Sequence, residues 1–562
     1  MLRTFIAIIF SFLFYQGFSC TNFLITKGAS VEGTPMISYS ADSHILFGEL
    51  YHWPATTYPE GALLDIYEWD TGKFLGKIAQ ARQTYNVVGN MNEFQVAIGE
   101  TTFGGKEELG EQPGAIMDYG SLIYVALQRS KSAREAIKII ADLMEEYGYA
   151  SSGESFSIMD KNEVWIMELI GKGKHEKGAV WVAMLVPDGY ICAHANQARI
   201  LQFPRKYKEG AISSKEMDKL FDPKVTTIYS EDVVSFARKY GYYTGEDKNF
   251  SFSDVYAPVD FGAARFCEAR VWSMFRKVNS EMDKYENYAM GHDLTNRMPL
   301  FVKPERKISL KDMMDFMGDH YEGTKMDFSK DIGAGPYESP YRWRPMTWQI
   351  DSVGYFHERS TSTQQTGFTF IAQSRDKYPD PIGGILWFGV DDSYFSVYNP
   401  IFCGITEIPL NYRQGYGSMI DFKADAAFWV FNQVSNFAYS RYNQIGPIVK
   451  EHQAMLTDKF FKSIDPVSEA ATKIFSADKN LAIDFITNYS VSESEKTVKH
   501  WINLYGFLFS KFVDGNVKKT EGMKLLDNGN GKNIPPSPKQ PGYNESLLRN
   551  IIKQTGDRYK AK

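Results

Sequence analysis

The chain has 562 residues and a formal net charge of −6, and 43% of its residues are hydrophobic and 15% aromatic. A chain of this length and composition is typical of a globular protein that buries a large core without disulfide staples. Acidic and basic residues are mixed along it, which argues against a nucleic-acid-binding surface, because such a surface needs clustered Lys and Arg.

Residues 1–19 have the pattern of a secretory signal peptide. Arg3 supplies a positive charge, and residues 5–15 form an uncharged apolar stretch. Gly17 and the residue before Cys20 are small, as a cleavage site before that cysteine requires. The apolar stretch is too short to span a bilayer comfortably, and no later segment is long and apolar enough. We therefore expect an exported protein, periplasmic or extracellular, without stable membrane insertion after the leader is removed.

Short strands and then two helices are predicted after the leader. Runs rich in β-forming residues and bounded by Gly, Pro and Asn fill residues 20–105. A buried helix and an amphipathic helix follow. The second begins where Ser132 and Glu135 form a capping-box pattern, and it ends at Gly148.

The middle of the chain alternates between strands and helices. Residues 155–196 have the pattern of an antiparallel β-meander, with turn residues between its strands. Helices are predicted within 230–241 and 309–321, and β-structure resumes at residue 361. Two β-rich blocks with helices between them indicate an α+β layered core.

The C-terminal part has a different composition. Long amphipathic helices are predicted over 421–525. Residues 526–562 are rich in Gly, Pro and Asn near their start and are interpreted as a flexible tail. The sequence does not predict an oligomeric state.

The common cofactor and metal motifs are absent from the sequence. It contains no phosphate-binding Gly loop, no dinucleotide-binding Gly loop after a strand, no HExxH, no GxSxG and no zinc-like Cys/His spacing. We therefore predict neither a metal nor a cofactor. His175, His194 and His357 are interpreted as surface or core residues.

The four cysteines are too few for a disulfide scaffold in an exported chain of this length. Cys192 and Cys403 lie in apolar runs and are predicted to be buried thiols. If Cys20 is reserved for chemistry, three cysteines remain, Cys267 among them, and at least one must be unpaired.

Cys20 has the properties of a nucleophile that proteolysis exposes. A thiol needs a base to ionise, and the α-amine of an N-terminal cysteine can serve, with a reference pKa of about 7.7–8.0. Removal of the leader would expose the nucleophile and its base together. The competing interpretation is a lipid-anchored surface protein that binds ligands through aromatic residues, because lipoprotein signals are also cut before Cys. Gly17 argues against it, since a lipobox usually has a larger aliphatic residue at that position.

An N-terminal nucleophile needs further groups around it. The amine needs an orienting acceptor, and a hairpin with its turn at residues 28–34 would bring Asp42 beside Cys20. The oxyanion of a tetrahedral intermediate needs donors. Asn196 and either Asn92 or Thr101 are polar residues near strand ends that could supply them.

Seven sequence blocks together resemble the cysteine dipeptidase family of N-terminal-nucleophile hydrolases. In order along the chain, they are "CTNFLITKGASVEGTPMISYSADS", "MNEFQVAIGETTFGG", "DYGSLIYVALQRSKSAREAI", "AHANQARI", "ARFCEARVWSMFRKV", "FHERSTSTQQTGFTFIAQSR" and "GILWFGVDDSYFSVYNPIFCGITEIP". The resemblance covers residues 20–410, about seven tenths of the chain.

The resemblance implies a fold and a reaction. The family is related to bile-salt hydrolases and penicillin V acylases, and is similar to them in its αββα sandwich of antiparallel sheets. This implies a catalytic domain over 20–420, followed by the helical segment, and cleavage of dipeptide amide bonds by Cys20 without a cofactor. The alternative within the same fold is a bile-salt or N-acyl-amide hydrolase.

The resemblance also implies roles for residues around the nucleophile. Asp42 matches the carboxylate near the amine, and Asn196 matches the oxyanion-side asparagine. The second donor position falls at Thr101, with Asn92 as the competing choice.

Two arginines compete for a supporting role, and restriction to dipeptides needs groups for both substrate charges. Arg265 matches the supporting arginine of the family, with Arg270 as the near alternative. Glu100 is the candidate for the substrate amine and Arg270 for the substrate carboxylate.

One position departs from the family pattern. Many relatives have Arg three residues before the Asp, and Tyr39 stands there in this chain. An Arg beside the nucleophile would favour the thiolate, whereas Tyr supplies no fixed charge. The departure concerns how the thiol is activated and leaves the identity of the nucleophile unchanged.

Overall fold

A computed structural model of the protein describes residues 20–343 and 345–561. The predicted signal peptide, residues 1–19, lies outside the described residues. Within the described ranges, no helix combines the length and the apolar composition needed to cross a membrane.

The described residues form 23 β-strands. In chain order they are β1 Asn22–Ile25, β2 Met36–Asp42, β3 His52–Trp53, β4 Thr56–Thr57, β5 Leu63–Tyr67, β6 Phe74–Ala79, β7 Gln83–Thr84, β8 Val87–Val88, β9 Met91–Asn92, β10 Ala97–Phe103, β11 Gly153–Met159, β12 Val164–Gly171, β13 Ala179–Leu185, β14 Ile191–His194, β15 Ala211–Ser213, β16 Thr227–Tyr229, β17 Thr347–Ile350, β18 Val353–Phe356, β19 Thr366–Ser374, β20 Gly384–Val390, β21 Asn399–Phe402, β22 Thr520–Glu521 and β23 Lys524–Leu525.

The same residues form 12 α-helices. In chain order they are α1 Tyr119–Arg129, α2 Ala133–Tyr147, α3 Val233–Lys239, α4 Phe252–Tyr256, α5 Ala269–Arg276, α6 Glu286–Ala289, α7 Leu310–Met317, α8 Asp380–Gly383, α9 Ala427–Ser440, α10 Tyr442–Ala477, α11 Lys479–Phe512 and α12 Glu545–Thr555. The helices predicted within 230–241 and 309–321 are α3 and α7.

Two large sheets form the centre of the molecule. The smaller has six strands in the order β14-β1-β2-β19-β20-β21, and the larger has nine in the order β15-β16-β13-β12-β11-β10-β9-β8-β3. Their strand pairs are antiparallel except for β15 with β16. The predicted α+β class with antiparallel sheets is confirmed.

Two apolar cores give the molecule its layers. One core joins residues of both sheets with residues of α9, α10 and α11, and the other joins the nine-stranded sheet with α1 and α2. Strand β2 of the smaller sheet contacts β10 and β11 of the larger one. The order through the molecule is therefore helix, sheet, sheet, helix.

The first hairpin lies where the sequence predicts it. β1 and β2 pair antiparallel, with Leu24 opposite Ile37, and a further bridge joins Thr21 to Ser40. Every residue of both strands is buried, as expected for a strand pair that lies between other layers. The hairpin brings the end of β2 back to Cys20.

The helices α1 and α2 begin at side-chain caps. Asp118 accepts a hydrogen bond from the backbone of Ser121 at the start of α1, and Ser132 accepts one from Glu135 at the start of α2. Gly148 ends α2 with a φ of 78°, a conformation that favours glycine. The predicted limits of α2 are confirmed.

The C-terminal helices pack on the smaller sheet. The backbone N–H of Phe402 in β21 donates to the hydroxyl of Ser490 in α11 at 3.3 Å. Trp501 of α11 is fully buried in the core that this sheet shares with the helices. Helix α12 lies within residues 526–562, where the Gly- and Pro-rich composition predicts only a flexible tail.

All four cysteines lie in the described part of the chain, and none of them forms a disulfide there. Cys192 and Cys403 are buried thiols, as predicted, and Cys267 is half-buried.

Candidate active site

Cys20 lies where the two sheets meet. It lies two residues before the start of β1 in the smaller sheet and is 2% exposed. Its Sγ lies 3.3 Å from Oε1 of Glu100, which β10 of the larger sheet supplies, and 3.7 Å from the hydroxyl of Tyr39 in β2. Strands from both sheets therefore position the groups around the thiol.

The surroundings of Cys20 favour the protonated thiol. Burial raises its pKa well above the usual value, and the negative charges of Glu100 and Asp42 raise it further. Hydrogen bonds between the thiol and the backbone of Asp42 and between the thiol and the Tyr39 hydroxyl lower its pKa, but these effects are weaker. The thiol therefore needs a nearby base in order to ionise at neutral pH.

Glu100 belongs to a buried pair of carboxyl groups. Glu154 in β11 is hydrogen-bonded to it, and burial together with the charge of Glu100 raises the pKa of Glu154 well above the usual value. Burial raises the pKa of Glu100, whereas the interaction with Glu154 lowers it, and the hydroxyl of Thr102 donates to Oε2 of Glu154 at 2.9 Å. The phenol of Tyr39 also donates to Glu100. A pair of buried carboxyl groups therefore lies beside Cys20.

Asp42 is held by Arg359 and by Thr366, which begins the neighbouring strand β19. Arg359 donates to Oδ2 of Asp42 and Thr366 to Oδ1, each at 2.6 Å. Burial raises the pKa of Asp42, and the charge of Arg359 is the largest effect that opposes the rise. The two donors fix the orientation of the carboxylate close to Cys20.

Arg270 is the arginine that holds the nucleophile and the asparagine together. Its guanidinium has five N–H donors, which bind the carbonyl of Phe266 (2.8 Å), the carbonyl of Cys20 (2.6 Å), the hydroxyl of Thr21 (2.8 Å), the carbonyl of Ala195 (3.2 Å) and the side-chain oxygen of Asn196 (2.8 Å). With every donor engaged within the protein, Arg270 has none left for a substrate carboxylate, so this geometry does not support its predicted substrate-binding role.

Arg265 has a different environment. It is buried, pairs with Glu358 at 2.5 Å, and lies over the ring of Phe356 at 5.0 Å. Its Nε and Nη1 have no hydrogen-bond partner among the described residues. Arg265 is the residue that matches the supporting arginine of the family, whereas Arg270 is the arginine that contacts Cys20 and Asn196.

Asn196 follows β14 in a left-handed conformation, with a φ of 60°. Its Nδ2 donates to the carbonyl of Thr102 at 2.6 Å, and its Oδ1 accepts from Arg270. Through Arg270, the amide is linked to the carbonyl of Cys20. The role of Asn196 as an oxyanion donor stays a prediction.

Thr101 is occupied by a buried polar chain. Its hydroxyl lies 2.7 Å from Nδ1 of His194, and Nε2 of the same ring lies 2.7 Å from the hydroxyl of Ser157. Burial lowers the pKa of His194 to about 3, so the ring is neutral. His194 is a core residue, as predicted. Its ring is hydrogen-bonded to the hydroxyl of Thr101, the group that the sequence proposes as an oxyanion donor.

The side chain of Asn92 makes structural hydrogen bonds to the backbone. Its Nδ2 donates to the carbonyls of Leu127 and Ser130 at the end of α1, 2.8 Å each, and its Oδ1 accepts from the backbone of Phe94 and Val96. Both amide hydrogens are engaged, so Asn92 has no donor for an oxyanion. The alternative that placed it in the site is not supported by this geometry.

The sequence assigns no role in the site to three residues that the structure places there, Arg359, Glu154 and Tyr39. Arg359 lies within one of the quoted blocks, but nothing local connects it to Asp42. Glu154 is an acidic residue in a fully buried strand. An acidic residue within a predicted buried strand is a sequence pattern that could have indicated a role in the site. Tyr39 was noted only as a departure from the family pattern, whereas its phenol contacts both Glu100 and Cys20.

No cluster of His, Cys, Asp or Glu in the described ranges has the arrangement of a metal site. The chemistry open to the described site is that of a buried thiol flanked by a pair of buried carboxyl groups, a further oriented carboxyl group and an arginine-held amide.

Comparison with known proteins identifies a family that matches most of the chain. The model of peptidase family C69 matches residues 48–454. This range includes Glu100, Asn196 and Arg270 and begins after Cys20 and Asp42.

The chain is also similar to curated dipeptidases. A probable dipeptidase of Latilactobacillus sakei is 23% identical over 533 residues, which cover 90% of this chain and 96% of the relative. A probable dipeptidase of Salmonella dublin is 24% identical over 69% of this chain and 81% of its own length. Probable dipeptidase A of Streptococcus pyogenes serotype M1 is 24% identical over 76% of this chain and 83% of its own length.

Proposed function

The chain belongs to peptidase family C69, and we propose that it is an exported dipeptidase whose nucleophile is the thiol of Cys20. The observation that carries the proposal is the position of that thiol, which lies 3.3 Å from a buried carboxylate, with the carbonyl of the same residue held by Arg270 at 2.6 Å. We assign the catalytic work to residues 20–420. The helix–sheet–sheet–helix layering supports an N-terminal-nucleophile hydrolase fold.

The base in this proposal is the α-amine that a cut before Cys20 would create. Burial and two carboxylates raise the pKa of the thiol, and the reference pKa of an α-amine, about 7.7–8.0, suits a proton acceptor near neutral pH. Asp42 would orient the amine, and Arg359 and Thr366 hold Asp42 in place for it.

The reaction proceeds through an acyl-enzyme. The amine takes the thiol proton, and the thiolate attacks the carbonyl carbon of the dipeptide to give a tetrahedral oxyanion, with Asn196 as a donor to it. The protonated amine then gives its proton to the leaving nitrogen as the C–N bond breaks. Water, deprotonated by the same amine, attacks the thioester, and Cys20 regains its proton as the first amino acid leaves.

Glu100 binds the ammonium group of the substrate in this scheme. The amino nitrogen of a dipeptide is two bonds from the carbonyl carbon, a separation of about 2.5 Å. Oε1 of Glu100, at 3.3 Å from Sγ, can therefore reach the ammonium of a peptide whose carbonyl lies at the thiol. The bound ammonium offsets the charge that raises the pKa of the thiol, so a free N-terminus promotes ionisation as well as binding.

The substrate carboxylate is assigned to Arg265. All five donors of Arg270 are engaged within the protein, whereas Nε and Nη1 of Arg265 have no partner in the described part of the chain. A buried guanidinium with unmatched donors is suited to a carboxylate ligand. Glu358, which pairs with Arg265, is followed directly by the residue that binds Asp42.

A side-by-side assay tests the proposal. Purified protein beginning at Cys20 is incubated with dipeptides, N-acetylated dipeptides and N-acyl amino acids, and the products are separated by liquid chromatography with mass detection. The proposal expects hydrolysis of free dipeptides and at least about 100-fold slower hydrolysis of the two acylated classes. Preference for N-acyl substrates would favour the N-acyl-amide hydrolase instead.

The lipid-anchored alternative has its own test. The intact mass of the N-terminal peptide from protein isolated from its host distinguishes a free Cys20 from a diacylglyceryl cysteine. A lipidated residue has neither thiol nor free amine and would contradict the enzyme proposal.

A further inference from the structure

Helix α9 of the C-terminal segment binds the residue that directly follows β20. Nδ2 of Asn432 donates to Oδ1 of Asp391 at 2.8 Å, and the hydroxyl of Ser435 donates to Oδ2 of the same carboxyl group at 2.6 Å. Resting on the dipeptidase function proposed above, we propose that Asn432 and Ser435 are positioning residues for the reaction, which act through Asp391 on the orientation of Asp42.

The backbone of Asp391 has a conformation that needs support. Its φ is 65°, in the left-handed region that residues other than glycine seldom adopt, and its side chain is only 1% exposed. Burial raises the pKa of its carboxyl group to about 7, and the hydrogen bonds from Ser435 and Asn432 oppose the rise. Because a strained conformation persists only where the surrounding contacts fix it, the two donors of α9 are the contacts that hold Asp391.

The backbone of Asp391 connects these contacts to Asp42. Its N–H donates to the carbonyl of Gly367 at 2.9 Å. Gly367 lies at a register shift between β19 and β2, next to Thr366, which stands opposite Asp42 and donates to its Oδ1. Irregularities of this kind beside an active site re-aim a side chain. Asp391 therefore holds the backbone that directs the Thr366 hydroxyl at Asp42.

A second contact from α9 holds the loop before β19. The hydroxyl of Tyr439 in α9 is hydrogen-bonded to the carboxyl group of Asp392, and the hydroxyl of Ser362 donates to Oδ1 of Asp392 at 2.5 Å. Ser362 lies between Arg359 and Thr366, the two residues that donate to Asp42. Helix α9, which lies outside residues 20–420, therefore supports the segment that carries both donors.

The orientation of Asp42 affects the proton transfers of the proposed mechanism. There Asp42 faces the α-amine of Cys20, and a carboxylate beside an ammonium group raises the pKa of that group. The other charged or titratable side chains around them are those of Glu100, Tyr39, Arg270 and Arg359. A substitution in α9 leaves all of these in the chain, so its effect on the amine comes from a displaced Asp42. We expect displacement to lower the pKa of the amine and to slow the chemical step.

The test measures kcat for Gly-Ala as a function of pH, in protein that begins at Cys20. kcat reports the ionisation of the bound enzyme and should rise with pH as the amine loses its proton. The double variant Asn432→Ala/Ser435→Ala lacks both donors to Asp391. Its kcat should be about 10- to 100-fold lower, and the midpoint of the rise should shift down by at least about 0.5 pH unit. KM should stay within about threefold of wild type, since Glu100 still binds the substrate ammonium.

Two further variants keep the result interpretable. Asp391→Asn tolerates the left-handed backbone but offers a single acceptor oxygen to two donors, so both kcat and the midpoint should fall. Ser440→Ala removes an exposed hydroxyl of the same helix that donates to the carbonyl of Phe437 at 2.6 Å, and it should leave both values unchanged. Thermal unfolding verifies that each variant is folded. If the double variant is not, Asn432→Ala alone should show the downward shift of the midpoint.

The outcomes separate this inference from the proposed function. Folded variants with the kcat and midpoint of wild type would overturn it, and so would a lower kcat with an unmoved midpoint, which indicates only a general loss of structure. Failure of the wild-type protein to hydrolyse Gly-Ala would instead contradict the dipeptidase function. Crystal structures of wild type and Asp391→Asn then test the inference by themselves, because an Asp42 carboxylate that keeps both donors in the variant would overturn it.

Discussion

The carboxylate of Glu100 lies 3.3 Å from the thiol of Cys20, and both side chains are buried. A negative charge at this distance raises the pKa of the thiol and so opposes formation of the nucleophile. The arrangement becomes favourable when a substrate ammonium offsets that charge. This relationship links substrate recognition to thiol ionisation, and most of the predictions below depend on it.

Glu100→Gln should raise KM for dipeptides by roughly 10- to 100-fold, because a hydrogen bond to a charged group contributes about 1.5–3 kcal/mol. Glu154→Gln is the matched control. Its amide is neutral and can donate a hydrogen bond to Glu100, so KM should stay within about threefold of wild type. Steady-state kinetics with Gly-Ala measure both, and equal effects of the two substitutions would contradict the assignment of the charge to Glu100.

Tyr39→Phe removes the phenol that donates to Glu100. Loss of this donor makes the carboxylate harder to ionise, so the pKa of Glu100 rises. The ionised form of Glu100, which binds the ammonium group, then appears only at higher pH. The pH range over which KM falls should therefore shift upward in the variant. A KM–pH profile that coincides with that of wild type would show that the phenol does not act on Glu100.

Burial and the charge of Glu100 raise the pKa of Asp70 to about 7. Asp70 is therefore neutral below pH 7 and negatively charged above it, and the added charge near the site favours an ammonium ligand. KM for Gly-Ala should fall as pH rises from about 6 to 7.5, where the substrate amine stays mostly protonated. Asp70→Asn should abolish the part of this fall in KM that the ionisation of Asp70 causes. A KM–pH profile identical to that of wild type would contradict this role of Asp70.

Arg270→Lys and Arg265→Lys should have different kinetic effects. Lysine at 270 cannot reproduce five directed donors, so kcat should fall by on the order of 100-fold for every substrate. Lysine at 265 should raise KM for dipeptides and leave hydrolysis of the corresponding dipeptide amides, which lack the carboxylate, nearly unchanged. A loss for Arg265→Lys that is the same for dipeptides and their amides would contradict carboxylate binding.

The parts of the site that could be predicted from sequence are the local ones. Cys20 and Asp42 are joined by a single hairpin, and turn residues at 28–34 were enough to place one beside the other. The caps of α2 were predicted for the same reason, since Ser132 and Glu135 are three residues apart.

The remaining parts depend on contacts that a linear reading does not contain. Arg359 and Asp42 are separated by 317 residues, and they meet only because β19 pairs with β2 in the smaller sheet. The choice between Arg265 and Arg270 depends on a π-helical turn over Ala263–Glu268, which changes the helical repeat and cannot be inferred from a period of 3.6 residues.

The cluster of aromatic rings beside Tyr39 shows the same limit. The sequence shows the high aromatic content, but it relates these residues only to a ligand-binding surface. Packing of Trp69 against Gly120, and of Tyr124 against Trp53, assembles the rings from separate segments beside Tyr39.

The central claim is that Cys20 acts as a nucleophile only when it is the first residue of the chain. The most direct measurement compares dipeptide hydrolysis by protein that keeps one additional residue before Cys20 with hydrolysis by the same protein after that residue is removed, with Cys20→Ser as the inactive reference. We expect activity to rise at least about 1000-fold on removal and to stay at background in Cys20→Ser, with the new N-terminus verified by intact mass. Equal activity before and after removal, or full activity in Cys20→Ser, would contradict the account.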